Sequence, residues 1–114
     1  MKNVIEYKGY YSKIEYSSED KVLHGKIEGI RDLINFECDK LEDVEKSFRE
    51  AVDDYLAFCR SLGQEPEKPY KGVFNIRISP ELHRRAVIEA ANEGITLNQF
   101  VAKAVEQSLA TGNI

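Results

Sequence analysis

The chain has 114 residues, of which 42% are hydrophobic and 32% charged, and its formal net charge is -4 at pH 7. This size allows one ordinary domain or two very small ones, and the composition is that of a globular chain and excludes a disordered one. No apolar run approaches the ~20 residues that span a bilayer, and the first residues lead into no signal-peptide pattern. We therefore expect a cytoplasmic protein with no membrane partner.

Acidic residues are concentrated in the first part of the chain. Residues 1–69 carry 11 Lys and Arg against 16 Asp and Glu, whereas residues 70–114 carry five against four. A basic protein surface fits the first part, because opposite charges favour association. A solvated acidic helix face explains the same excess, so both interpretations stay open.

Three alternating segments predict three strands near the N-terminus. They cover residues 10–16, 22–30 and 33–38, and polar turns separate them. The short spacing between them favours an antiparallel meander. A helix follows, for which Asp39 and Glu42 suggest a capping box, and Gly63 gives a natural end. The first part is therefore predicted to be a three-stranded antiparallel sheet covered on one face by a helix.

A polar segment with two prolines, residues 64–70, has no hydrophobic periodicity and is typical of a linker. We therefore predict a first domain at residues 1–63, a linker at residues 64–70 and a second domain at residues 71–114. The fold class is α+β.

The second domain begins with strictly alternating residues. Phe74, Ile76 and Ile78 share one face of a predicted strand, and Val73, Asn75 and Arg77 share the other. Two helices follow. Ser79 and Pro80 predict the start of the first and Gly94 its end, and Thr96 with Gln99 predicts a capping box for the second.

A single strand beside two helices leaves both strand edges unpaired, and so small a domain usually needs a second copy for a stable core. Pairing the strand with its copy gives a two-stranded ribbon over four helices. The sequence thus predicts a homodimer and leaves open whether the first domains join two dimers into a tetramer.

An exposed two-stranded ribbon fits the major groove of DNA. Arg77 suits guanine and Asn75 suits adenine, since each side chain can form a bidentate hydrogen-bonded pair, and Val73 suits a thymine methyl group. Lys71 and the helix start at Thr96 and Asn98 would contact phosphates. A plain solvent-facing strand is the simpler alternative for Asn75 and Arg77.

The segments from Val73 to His83 and from Glu93 to Val101 resemble a ribbon-helix-helix DNA-binding domain. Residues 25–32 and 48–56 resemble the compact βββα domain of HicB antitoxins, which has a partial RNase-H-like fold. The combined resemblance runs from about residue 10 to residue 109. It is specific in combination, because each half by itself is short.

The resemblance implies an antitoxin of a type II toxin–antitoxin system. A HicB domain binds and neutralises a small HicA-like toxin that cleaves mRNA, and the C-terminal domain binds operator DNA and represses its own operon. A toxin that is a ribonuclease is expected to be basic, so we place its contact at the uncovered sheet face and at Glu50, Asp53 and Asp54. The alternative is a free-standing ribbon-helix-helix regulator whose first domain senses a ligand or adds oligomer contacts.

No enzyme, metal or cofactor is predicted. The two cysteines, Cys38 and Cys59, lack metal-ligand spacing, and His24 and His83 lack a nucleophile or a second histidine nearby in sequence. Asp53 and Asp54 are adjacent on a helix and point in different directions, whereas two-metal nuclease sites need converging carboxylates.

Overall fold

A computed structural model describes residues 3–111, so the outer ends of the predicted domains, residues 1–2 and 112–114, lie outside the described residues. The chain divides into two compact units, Met1–Phe74 and Asn75–Ile114. The range predicted as a linker, residues 64–70, lies within the first unit. The α+β class is confirmed, with two small antiparallel sheets and three α-helices in the described chain.

The first unit starts with a β-hairpin that the sequence analysis missed. Strand β1, Val4–Tyr7, pairs antiparallel with β2, Tyr10–Lys13. Lys8 and Gly9 form the two-residue connection with φ angles of 54° and 82°. Positive φ at both central residues is the geometry of the tight turns that match strand twist. Lysine is an uncommon residue at such a position, and this weakened the hairpin signal in the sequence.

The second sheet is an antiparallel meander of three strands in the order β3-β4-β5. These are β3, Glu15–Ser17, β4, Val22–Lys26, and β5, Asn35–Cys38. The prediction of a single strand over residues 10–16 and of only three strands was wrong. The chain interrupts its pairing at Ile14, because β2 pairs with β1 whereas β3 pairs with β4. The second predicted strand also ends earlier, since Gly29 turns the chain with a φ of 76°.

Helix α1, Val44–Ser61, packs its apolar stripe against the strands. The predicted capping box at Asp39 and Glu42 was wrong: a 3₁₀ turn, Leu41–Asp43, precedes the helix, and Lys40 caps that turn without a side-chain hydrogen bond. The amide of Asp43 instead donates to the carbonyl of Lys40 at 3.1 Å, which closes a tight i→i+3 turn. Gly63 follows the helix with a φ of 67°, so its role at the helix end is confirmed.

The core of the first unit lies between α1 and the strands. Phe48, Val52 and Tyr55 of α1 are buried, and the rings of Phe36 and Phe48 lie 5.5 Å apart. The other buried members of this core are Tyr10, Ile27 and Cys59. Gly25 allows β4 to lie close to its neighbours, since a Cβ there would be 2.7 Å from the Lys13 carbonyl oxygen and would also collide with the Ser12 hydroxyl.

The second unit contains helix α2, Pro80–Glu93, and helix α3, Leu97–Ala110. All three predicted helix signals are confirmed. The Ser79 hydroxyl accepts from the Leu82 amide at 3.1 Å, and Gly94 ends α2 with a φ of 70°. Thr96 and Gln99 form a reciprocal capping box at the start of α3. Within residues 3–111, no helix is both long and apolar enough to cross a membrane.

The single chain forms no strand at residues 73–78, where a strand was predicted. A strand needs a hydrogen-bonded neighbour, and the described chain offers none to this segment. Phe74 and Ile76 are 73% and 52% exposed. The helices of this unit also bury little: within the described residues, Ala90 is buried in α2 and no residue is buried in α3.

Candidate functional site

The first candidate surface is the outer face of α1. The fold exposes Glu50, Asp53 and Asp54 there, because the opposite face of the helix carries the buried stripe. Glu50 and Asp54 make no ion pair or hydrogen bond through their side chains within residues 3–111. Their carboxylates are therefore open to a partner.

Asp53 differs from its neighbours because the first hairpin already contacts it. Its carboxylate accepts a hydrogen bond from the Tyr7 hydroxyl at 3.2 Å and pairs with the Lys8 ammonium at 2.9 Å. The hydrogen bond from Lys8 lowers the pKa of Asp53, and the same contact raises the pKa of Lys8. Asp53 thus links α1 to the β1–β2 turn, and a partner would have to compete with Lys8 for it.

The sheet presents a second feature of the first unit on the face away from α1. Cross-strand pairing aligns Glu15 with His24 and His24 with Glu37, so the three residues form one row across β3, β4 and β5. An open cleft of about 660 Å³ adjoins this row, and its lining includes Asp20, His24 and Glu37. Across residues 3–111, no three His, Cys, Asp or Glu side chains are grouped closely enough to hold a metal ion.

A segment that we call the strap, residues 64–70, crosses the first unit and contacts its core. The backbone carbonyl of Glu67 accepts from the Tyr10 hydroxyl at 2.6 Å, and its amide donates to the Tyr55 oxygen at 3.0 Å. Its carboxylate accepts from the Arg31 amide and guanidinium at 3.0 and 3.2 Å. These bonds hold the pKa of Glu67 below its ordinary value. The docking of the strap was not predictable from its sequence, because proline and charged residues are typical of linkers.

Two further contacts hold the strap against the first unit. The rings of Tyr11 and Tyr70 stack with centroids 6.2 Å apart. Pro69 lies so close to Gly29 that a Cβ at Gly29 would come within 2.6 Å of it. The strap is therefore held against the first unit, and the chain continues from its end to the second unit.

The candidate DNA-binding residues of the predicted ribbon, Lys71, Val73, Asn75 and Arg77, are all exposed. The division between the units falls after Phe74, so Lys71 and Val73 are grouped with the first unit and the other two with the second. No hydrogen bond or ion pair joins any two of these side chains within the described part of the chain.

The start of α3 carries the remaining candidates, Thr96 and Asn98. The Thr96 hydroxyl accepts from the Gln99 amide at 3.0 Å, so this side chain is already engaged in the cap. The amides of Leu97 and Asn98 have no acceptor within the helix, as is general for the first turn. These two amides, together with the exposed Asn98 side chain, are the groups that the helix start can offer to an anion.

Comparison with known proteins gives one match. Neither the curated proteins nor the solved structures include a match to the chain. A family model described as the HicB family matches residues 55–105, from the last turns of α1 through the strap and α2 into α3. HicB proteins are in general antitoxins of toxin–antitoxin systems, and their partner in general is a toxin. Over residues 55–105 the chain is therefore similar to the HicB family.

Proposed function

We propose that the chain is the antitoxin of a type II toxin–antitoxin system, that it neutralises a HicA-like mRNA-cleaving toxin, and that it represses its own operon by binding operator DNA. It acts as a binding protein and not as an enzyme. The observation that carries the proposal is the family match over residues 55–105, which spans the strap and most of the two-helix unit.

A second copy of the chain is part of the proposal. The second unit exposes large apolar side chains on its segment before α2 and on both helices: Ile76, Ile78, Leu82, Val87, Ile88, Val105 and Leu109. A unit this small with so many exposed aliphatic side chains lacks a core of its own. Pairing two copies through residues 73–78 supplies the missing strand partner and covers these side chains as a ribbon-helix-helix dimer.

DNA binding follows from that dimer. Pairing of two copies turns Phe74, Ile76 and Ile78 inward, because side chains alternate along a strand. Asn75 and Arg77 then project outward twice, related by the twofold axis, into one major groove. Lys71 and the free amides at the start of α3 contact the flanking phosphates.

Toxin binding belongs to the first unit. Its acidic residues outnumber its basic ones, and Glu50 and Asp54 have free carboxylates on the outer face of α1. A basic ribonuclease fits this surface by charge, and the docked strap separates it from the DNA-binding residues in sequence.

Operator binding and toxin neutralisation by the purified full chain test the proposal. The DNA probe is the region upstream of its own gene, and the toxin is a small basic protein encoded in the adjacent reading frame. Arg77→Ala should abolish operator binding and leave neutralisation of the toxin's mRNA cleavage intact. Arg60→Ala removes the same charge from the end of α1 and should leave both activities intact.

Three outcomes would contradict parts of the proposal. A monomeric wild-type chain in sedimentation analysis would contradict the ribbon dimer. Loss of both activities in Arg77→Ala would contradict the assignment of DNA binding and toxin binding to separate units. Operator binding without any neutralised toxin favours the free-standing regulator instead.

A further inference from the structure

Strand β5 forms an edge of the three-stranded sheet. It pairs with β4, and no other strand among residues 3–111 pairs with it. An unpaired strand edge presents a row of backbone donors and acceptors to any chain that reaches it.

The direction of these backbone groups follows from the pairing register. The Ile27 amide donates to the Ile34 carbonyl at 2.9 Å, so this pair belongs to the hydrogen-bonded set of the antiparallel ladder. Bonded and non-bonded pairs alternate along such a ladder. Phe36 and Cys38 therefore direct their backbone groups to β4, whereas Asn35 and Glu37 direct theirs away from the sheet.

The edge has little protection from pairing. Proteins commonly guard an edge with proline or lysine, and β5 contains neither. Two of the most exposed leucines of the first unit flank the strand, Leu33 at 72% and Leu41 at 78% exposure. An incoming segment thus meets both backbone hydrogen-bonding groups and apolar side chains.

Charge identifies the occupant. Residues 28–43, which include β5 and its two flanks, carry six acidic and two basic side chains. A second copy of this edge would bring the same acidic excess against it, and like charges in close apposition are unfavourable. An extended segment with lysine or arginine has the complementary charge.

We propose that the open edge of β5 binds an extended, lysine- or arginine-bearing segment of a partner protein by β-strand addition. The Asn35 and Glu37 backbone groups form the new ladder, Glu37 selects for positive charge, and Leu33 and Leu41 contact apolar residues of the segment. The backbone edge of β5 has no role in the proposed antitoxin function, although the Glu37 side chain lies on the sheet face where the toxin contact is expected.

Amide hydrogen exchange of the isotopically labelled full chain tests the edge directly. In the free protein, the Asn35 and Glu37 amides should exchange much faster than those of Phe36 and Cys38. Slow exchange at all four would mean that another copy already covers the edge, and it would overturn the proposal.

Two synthetic seven-residue peptides then test the occupant, one alternating lysine with valine and the other glutamate with valine. The lysine peptide should slow exchange at Asn35 and Glu37, and the glutamate peptide should not. Equal binding of both peptides, or shifts confined to α1, would refute the assignment.

Variants at Glu37 complete the test. Glu37→Pro removes an outward donor without touching the ladder to β4, and it should weaken binding of the lysine peptide about fivefold. Glu37→Lys should weaken it at least as much, whereas Glu19→Lys, with the same change in net charge, should have no more than about a twofold effect. If Glu37→Pro does not fold, the two lysine variants decide: equal affinities would refute a role for the edge.

Discussion

The amide of Glu67 donates a 3.0 Å hydrogen bond to the phenol oxygen of Tyr55, twelve positions earlier in the chain. Tyr55 lies in the core stripe of α1, so this bond ties the strap to the hydrophobic core. Tyr10 donates to the carbonyl of the same residue at 2.6 Å. Both backbone groups of Glu67 are thus satisfied by side chains of the first unit, and the connection to the second unit starts after a fixed point.

Tyr55→Phe removes the acceptor and should lower the free energy of unfolding of the first unit by about 1 kcal/mol, the usual effect of one lost hydrogen bond in a partly buried place. Urea denaturation of the full chain measures it, and exchange of the Glu67 amide should become faster. Tyr70→Phe is the matched control, because the Tyr70 hydroxyl makes no hydrogen bond within residues 3–111. Equal destabilisation by both variants would contradict the strap contact.

Acid should weaken the strap through Glu67. The Arg31 amide and guanidinium hold the pKa of Glu67 below its ordinary value of 4.5. A carboxyl whose folded pKa is depressed stabilises the fold above its unfolded pKa, and this stabilisation is lost as the pH falls through the folded pKa. The contribution of Glu67 to the free energy of unfolding should therefore be constant from pH 7 to about 5 and decline below about 4.5.

Glu67→Gln should reduce this acid dependence in thermal unfolding measured between pH 3 and 7. Glu65→Gln is the control, because Glu65 lies in the same segment and makes no ion pair within the described chain. A profile of Glu67→Gln that coincides with the wild-type profile at every pH would exclude a contribution from the Arg31–Glu67 pair.

Gly25→Ala should destabilise the first unit by about 2–3 kcal/mol, the upper part of the range for overpacking. The added methyl group would lie 2.7 Å from the backbone oxygen of Lys13 and 2.9 Å from the ring of Phe36. Gly63→Ala is the comparison: its φ is 67° and nothing lies near the added Cβ, so only backbone strain of about 1 kcal/mol is expected. Chemical denaturation should rank the first variant as the less stable, and the reverse order would contradict the packing around β4.

Asp53 and Asp54 should behave differently although they are adjacent. Asp53→Asn weakens the contact with Lys8 and Tyr7, so the β1–β2 turn should loosen and its amides should exchange faster. Asp54→Asn removes a free charge and should leave exchange in the turn unchanged while weakening association with a basic partner. Faster exchange in the turn of Asp54→Asn would show that the two residues are not distinct in this way.

The helix ends of the second unit were predictable because each cap is a local event. Ser79 reaches the amide of Leu82 and Thr96 reaches that of Gln99, so three positions of sequence contain all the atoms involved. The apolar stripe of α1 was equally predictable from the sequence, because apolar residues recur on one face of the helix.

The sequence by itself therefore determined the three helices, the α+β class and the exposure of the candidate binding residues. Only the tertiary structure decided that residues 64–70 dock on the first unit and that Asp53 is paired. The physical reason is distance along the chain: Tyr10 bonds to Glu67 across 57 positions and Lys8 to Asp53 across 45. Such contacts form only when the core has brought the elements together, and no local pattern of residues encodes them.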